Sequence, residues 1–112
     1  GQSKFRPMRE HFYKGTEGLF LVFDLTLRTS YDNIPNWYQD IRKNLKTSKN
    51  LIALILGNKN DLIKERVISK EEAFVLADNL NMEFIETSAL TGDNVNNAFY
   101  KIAERLLSKN EF

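Results

Sequence analysis

The hydrophobic residues of this chain cluster in three short apolar runs, at residues 18–25, 51–57 and 83–88. The first two runs are almost continuous rather than alternating with polar residues. Continuous runs of this length are typical of strands that are buried on both faces, as in a parallel sheet covered by helices. We therefore predict three parallel strands.

Helical spacing marks the segments that follow the first two strands. Over about residues 33–46, hydrophobic residues recur every three or four positions, which predicts one apolar helix face. Pro35 then falls in the first turn, where its missing N–H costs little. A second helix is predicted to begin at Ser69, which can form a capping box with Glu72, and to stop at Asn81.

The last helix carries the clearest apolar stripe, from Val95 to Leu106, and Asp93 is its expected N-cap. The order of elements is therefore strand, helix, strand, helix, strand, helix. Parallel strands need crossover connections, which are usually helices. The pattern predicts a doubly wound α/β fold.

Composition and charge narrow the classes of function. The 112 residues are 42% hydrophobic and 28% charged, as in an ordinary globular domain. A net charge of +1 with interspersed signs argues against a nucleic-acid surface. The chain has no cysteine, and thus no disulfide, thiolate metal site or lipidated Cys within it. With no apolar run near the roughly 18 residues of a membrane span, we expect a cytoplasmic protein.

Polar loops follow the second and third predicted strands, at the end of the sheet where ligands bind in open α/β folds. One loop contains Asn58, Lys59 and Asp61, and the next contains Ser88, Ala89 and Leu90. Asn-Lys-x-Asp after one buried strand and Ser-Ala-x after the next resembles the guanine-binding pair of the Ras-superfamily small GTPases. The resemblance implies GTP and GDP as ligands.

The chemistry of guanine suits the first of these motifs. Guanine presents two N–H donors side by side, and the Asp61 carboxylate can accept both in a charge-assisted pair. Adenine lacks this donor pair, so a single carboxylate can select the nucleotide. The resemblance also implies that Asn58 braces the loop and faces the base edge, and that the stem of Lys59 lies on the base face.

The second motif has implied roles too. The backbone N–H of Ala89 would donate to the guanine carbonyl, and Ser88 would hold the turn against Asp61. Leu90 stands where lysine is commoner in the family, and its apolar side chain can still pack against the ring.

The start of the chain resembles the end of an Asp-x-x-Gly-Gln segment, with Ser3 where Glu is usual. By this resemblance Gln2 is the candidate catalytic residue, because in phosphoryl transfer it orients the attacking water. The backbone at Gly1 would meet the γ-phosphate. An effector surface is expected at Phe5, Met8 and Phe12.

The resemblance extends over nearly the whole chain and favours the Rab branch. Residues 36–42 and 86–99 are similar to Rab sequences, and residues 62–87 are too few for the extra helix of the Rho branch. We therefore expect residues 1–112 to form the C-terminal part of a single small GTPase domain. Such a domain is a three-layer sandwich of the P-loop NTPase type.

Part of that domain has no counterpart here. No Gly-x-x-x-x-Gly-Lys-Ser/Thr sequence occurs in the chain, so the phosphate cradle and the first strands are expected to be missing. Mg²⁺ is expected in the complete domain through residues that are not in this chain, and we assign no metal ligand within it. The first predicted strand would then expose one edge.

Two classes of function follow from the resemblance. The first is a GTP-hydrolysing switch in membrane traffic or signalling, with effectors, an exchange factor and a GTPase-activating protein as partners, and with membrane attachment only through a C-terminal tail not present here. The second is a nucleotide-independent interaction module that has lost the phosphate site. A Walker A sequence upstream of Gly1 would favour the switch. An unrelated flavodoxin-like domain would leave the paired motifs unexplained.

Overall fold

The computed structural model describes residues 18–44 and 51–109. In these two ranges, three strands form one parallel sheet in the order β1-β2-β3. Their bounds are β1 (Gly18–Asp24), β2 (Ile52–Asn58) and β3 (Glu83–Glu86). The predicted α/β class is confirmed. The third strand ends earlier than predicted, although the Thr87 N–H still donates to the Gly57 carbonyl at 2.8 Å.

Within the described residues, four α-helices and one 3-10 turn connect and follow the strands. They are α1 (Arg28–Asp32), α2 (Ile34–Asn44), the 3-10 turn (Ile63–Glu65), α3 (Lys70–Asn79) and α4 (Val95–Lys109). The short helix α1 was not predicted, because five residues are too few to show a helical period. It lies directly before α2, in which Pro35 occupies the first turn as expected.

Local capping explains where two of these helices begin and end. The Ser69 hydroxyl accepts from the Glu72 N–H at 3.1 Å, and the Glu72 side chain accepts from the Ser69 N–H, which completes the predicted capping box of α3. Asn81 takes a left-handed φ of 57° just beyond that helix. At α4 the prediction of Asp93 as N-cap is wrong. The Asn94 carbonyl accepts the Ala98 N–H at 3.0 Å, which puts Asn94 at that position.

Helices pack on both faces of the sheet and make two separate cores. One face buries Leu21, Phe23, Ile55 and Phe84 against α2 and α3, and the other buries Leu54, Leu56 and Ile85 against Ala98 of α4. Each fully buried large side chain contributes about 1.5–3 kcal/mol. The described part of the chain is thus three layers deep.

The outer edge of β1 is open among residues 18–44 and 51–109, since β1 pairs there with β2 alone.

Five predicted site residues lie outside the described residues, namely Gly1, Gln2, Phe5, Met8 and Phe12. Within the described ranges, no helix combines the length and apolar character needed to cross a bilayer.

Candidate functional site

The loops that leave β2 and β3 meet at one edge of the sheet, because the carboxyl ends of parallel strands lie side by side. They enclose an open pocket of about 430 Å³. Its lining residues are Asn58, Lys59, Asp61, Leu62, Ala89 and Leu90. Five of the six residues predicted to contact guanine therefore line one pocket, and the sixth, Ser88, lies fully buried beside it.

A hydrogen bond between the two loops orients the Asp61 carboxylate. The Ser88 hydroxyl donates to Asp61 Oδ1 at 2.7 Å and accepts the Thr91 N–H at 3.0 Å. Ser88 is 0% exposed, so this hydroxyl is held from both sides in a place that water does not reach. This hydrogen bond therefore ties the Asp61 carboxylate to the second loop at the pocket.

Asn58 braces the second loop through its side-chain carbonyl. Asn58 Oδ1 accepts from the Ala89 N–H at 3.0 Å and from the Thr87 hydroxyl at 3.3 Å. The Ala89 N–H is the group that the resemblance assigns to the guanine carbonyl. In this structure it already has an acceptor, so a base carbonyl would have to share this N–H with Asn58 or displace it.

Lys59 is held by a contact that the sequence did not reveal. Its Nζ lies 2.9 Å from Asp24 Oδ2, at the end of β1. Asp24 Oδ1 accepts from the Thr26 N–H at 2.8 Å and from the Thr26 hydroxyl at 2.6 Å. Partial burial alone would raise the pKa of Asp24, but the hydrogen bonds from Thr26 and Lys59 outweigh burial and hold that pKa below its ordinary value.

Two apolar side chains flank the pocket. Leu90 is 85% exposed and Leu62 is 37% exposed. Exposed leucines at the mouth of a pocket are well suited to cover a flat, largely apolar ring. The side chain of Leu90 is therefore accessible to a ligand in the pocket.

Further contacts join the two loops. The Asn60 N–H donates to the Thr87 carbonyl at 3.0 Å, and Asn60 Nδ2 donates to Asp93 Oδ2 at 2.8 Å. Asp93, expected as a helix cap, thus serves as a loop brace. Asn60 is the variable position of the Asn-Lys-x-Asp motif, so the motif gave no signal for this contact.

A second, larger groove of about 630 Å³ runs beside β3 between α3 and α4. It mixes apolar residues such as Phe74 and Met82 with Lys70 and Lys101 at its edges. None of the six residues predicted to contact guanine lines this groove, whereas five of them line the smaller pocket. The smaller pocket is the better candidate for a specific ligand.

The Mg²⁺ that the resemblance implies does not fit the described residues. In residues 18–44 and 51–109, no group of three or more His, Cys, Asp or Glu side chains could hold a metal ion. Asp24 caps a loop and pairs with Lys59. The described site has the chemistry to recognise a base.

Comparisons with known proteins agree with this geometry. The sequence model of the Ras family matches residues 1–108. The chain is 40% identical over 111 residues to the Ras-related protein Rab-4A of Homo sapiens, which covers 99% of this chain and 50% of the relative. Identity to Rab-4A of Danio rerio is also 40% over 111 residues, covering 99% of this chain and 51% of the relative.

The Ras-related protein Rab-4B of Homo sapiens is 40% identical over 109 residues, covering 97% of this chain and 50% of the relative. The chain thus spans about half the length of the curated relatives it matches. Since the family match covers nearly every residue, this chain belongs to the Ras family, as a Rab-like member.

Proposed function

We propose that this chain supplies the guanine-recognition part of a molecular switch that hydrolyses GTP to GDP, in membrane traffic or signalling. One observation carries the proposal. The Asp61 carboxylate, fixed by the 2.7 Å hydrogen bond from Ser88, stands in the same pocket as Asn58 and the Ala89 backbone.

The recognition follows from the number of acceptors that Asp61 offers. An ionised carboxylate has about four lone-pair positions on its two oxygens. Ser88 occupies one of them, and the others suffice for the two adjacent N–H donors of guanine. Adenine presents no such pair and would leave the carboxylate unsatisfied, which is a strong basis for rejecting it.

Stacking would hold the base in plane. The stem of Lys59 and the side chain of Leu90 lie at the pocket, and the Asp24 ion pair restrains the Lys59 ammonium. An aliphatic surface on a ring face excludes water and adds apolar burial at roughly 25 cal/mol per Å². The Ala89 N–H, which donates to Asn58 Oδ1, would complete the site by donating to the guanine carbonyl instead, or to both acceptors at once.

Hydrolysis would depend on residues outside the described ranges. In the proposed switch, Gln2 orients the attacking water and the backbone at Gly1 meets the γ-phosphate. Mg²⁺ would be held by residues other than the described ones, and would supply positive charge beside the phosphates. Phe5, Met8 and Phe12 would form a surface for effector proteins, and exchange factors and GTPase-activating proteins are the expected regulators. We expect the protein in the cytoplasm and, through a C-terminal tail, at the membrane surface.

One observation favours a second candidate, the nucleotide-independent interaction module. The hydrogen bonds among Asn58, Ala89, Ser88 and Asp61 satisfy the two loops without any ligand. A loop pair of this kind could persist in a domain that binds only proteins.

Nucleotide binding to the natural full-length polypeptide separates the two candidates. Nucleotide is first extracted from the purified protein and identified by chromatography, and dissociation constants for GDP and ADP are then measured by competition with a fluorescent GDP. The switch requires bound guanine nucleotide and strong preference for GDP. The module predicts no nucleotide and no preference.

A variant of Asp61 tests the recognition chemistry itself. Asp61→Asn replaces one acceptor oxygen with a donor, so we expect GDP affinity to fall by about 10- to 100-fold, the value of a hydrogen bond to a charged group. Asp78→Asn is the matched control, because Asp78 is an exposed residue of α3 that does not line the pocket. Equal GDP affinities in the two variants would exclude Asp61 as the guanine ligand.

A further inference from the structure

A bidentate ion pair joins the ends of the two pocket loops. Arg66 Nη1 donates to Glu86 Oε1 at 2.9 Å, and Arg66 Nη2 donates to Glu86 Oε2 at 2.5 Å. Arg66 Nε also donates to the Ile68 carbonyl at 2.6 Å. Three hydrogen bonds therefore hold the guanidinium. They give the ion pair a defined geometry and also strengthen it.

The position of this pair links the two motifs of the site. Arg66 directly follows the 3-10 turn that comes after Asp61, and Glu86 is the last residue of β3, just before Thr87 and Ser88. The pair thus joins the far end of one pocket loop to the beginning of the other. The hydrogen bond from Ser88 to Asp61 joins the same loops at the pocket itself.

A comparison within β3 shows that this pair is unusual. Glu83, at the opposite end of the strand, pairs with Arg105 and Lys101, and its side chain is 36% exposed. The Glu86 side chain is only 13% exposed, and that of Arg66 is 23% exposed. Exposed ion pairs contribute little to the stability of a fold. Breaking a buried pair is more destabilising, because it leaves an uncompensated charge. Removing one partner of the Glu86 pair should therefore destabilise the structure more than removing one partner of Glu83.

We propose that Arg66 and Glu86 are positioning residues that set the discrimination for guanine, acting through Asp61 and Ala89 without touching the base. The inference rests on the proposed function. The two-point match between a carboxylate and the N–H donors of guanine depends on the separation of the two loops. If the brace is loosened, the contact to the exocyclic amine of guanine weakens more than the stacking of the ring.

Inosine diphosphate provides the probe, because its base lacks only the exocyclic amine of guanine. Dissociation constants for GDP and inosine diphosphate are measured on the natural full-length polypeptide and on Glu86→Gln and Arg66→Lys. We expect the preference for GDP over inosine diphosphate to fall about tenfold in both variants, since a hydrogen bond to a charged group contributes roughly one to two factors of ten. Glu83→Gln and Arg105→Lys, at the other end of β3, are matched controls whose preference stays at the wild-type value.

A purely structural role would raise both dissociation constants by the same factor and leave their ratio unchanged, which would overturn the inference. Arg66→Lys keeps both charges and carries the test if Glu86→Gln loses its cooperative thermal transition. Loss of that transition in both variants would make the pair a folding element and also overturn the inference. Wild-type protein that does not prefer GDP over ADP would refute the proposed function itself, and the positioning role with it.

Discussion

Gly57 lies in β2 where the structure leaves no room for a side chain. A Cβ atom there would lie 2.8 Å and 2.9 Å from ring atoms of Phe84, and 3.0 Å from Leu25 Cδ2. Favourable carbon contacts are about 3.5–4.0 Å long, so Gly57→Ala requires the ring to move by roughly 0.5–1 Å. The ring has little freedom, because it stacks on Phe23 at 6.0 Å and meets Phe74 edge-on at 5.4 Å.

The size of the effect follows from two opposing contributions. Overpacking a core costs about 1–3 kcal/mol. Replacing a strand glycine with alanine gains about 0.5–1 kcal/mol of backbone entropy. We therefore expect Gly57→Ala to lower the free energy of unfolding by about 1–2 kcal/mol.

Urea denaturation of the natural polypeptide measures this loss, and a double-mutant cycle identifies its cause. Phe84→Leu removes the ring that the new methyl group would meet. The double variant should therefore lose about 0.5–1 kcal/mol less than the sum of the two single variants. Gly18→Ala is the control, because its Cβ would meet the flexible tip of Ile102 at 3.1 Å and the Leu106 side chain at 3.3 Å. Strict additivity in the cycle, or a larger loss for Gly18→Ala, would refute the packing argument.

Two other predictions concern local electrostatics and capping. The lowered pKa of Asp24 means that its ionised form stabilises the fold at neutral pH and that this contribution is lost as the pH falls through the folded-state pKa, which lies below the ordinary value of an aspartate. In urea denaturation, Asp24→Asn should thus be less stable than wild type at pH 6, by a difference that shrinks towards pH 3; a constant difference would contradict this. Ser69→Ala should cost about 1 kcal/mol through loss of the capping box with Glu72, whereas Ser108→Ala, on the exposed side of α4, should change thermal stability little, and equal losses would contradict the capping role.

Features that depend on near neighbours in the sequence could be predicted. Strands β1 and β2 follow from continuous apolar runs, and the start of α3 follows from the fixed spacing of Ser69 and Glu72. The meeting of Asp61 with Ser88 follows from a general property of parallel sheets, whose strands end side by side. These rules need no knowledge of distant contacts.

Features that depend on distant contacts could not be predicted. The charged residues Arg66 and Glu86 resemble any other surface charges in the sequence, and only the fold brings them together. The same holds for Lys59 and Asp24, which lie at the carboxyl ends of two different strands. No sequence rule assigns the Ala89 N–H to a side-chain acceptor.

The ends of helices were predicted less well for a physical reason. Asp and Asn are both good N-cap residues, so Asp93 and Asn94 compete for the same position. In the structure the Asp93 carboxylate accepts from Asn60 Nδ2 and the Asn94 amide donates to the Glu86 carbonyl, so contacts from other parts of the chain occupy both side chains. Tertiary structure thus overrides a local preference.

The backbone of Lys59 has a consequence for protein engineering. Lys59 adopts a φ of 70°, in the left-handed region, where the other non-glycine residues of the described chain are Asn81 and Asn94. Asparagine tolerates this region and lysine does so less readily, at a strain of about 1–2 kcal/mol. A thermostability screen would therefore favour glycine at position 59. The resulting variant would lose the ammonium that pairs with Asp24, so selection for robustness and selection for ligand recognition favour different residues at this position.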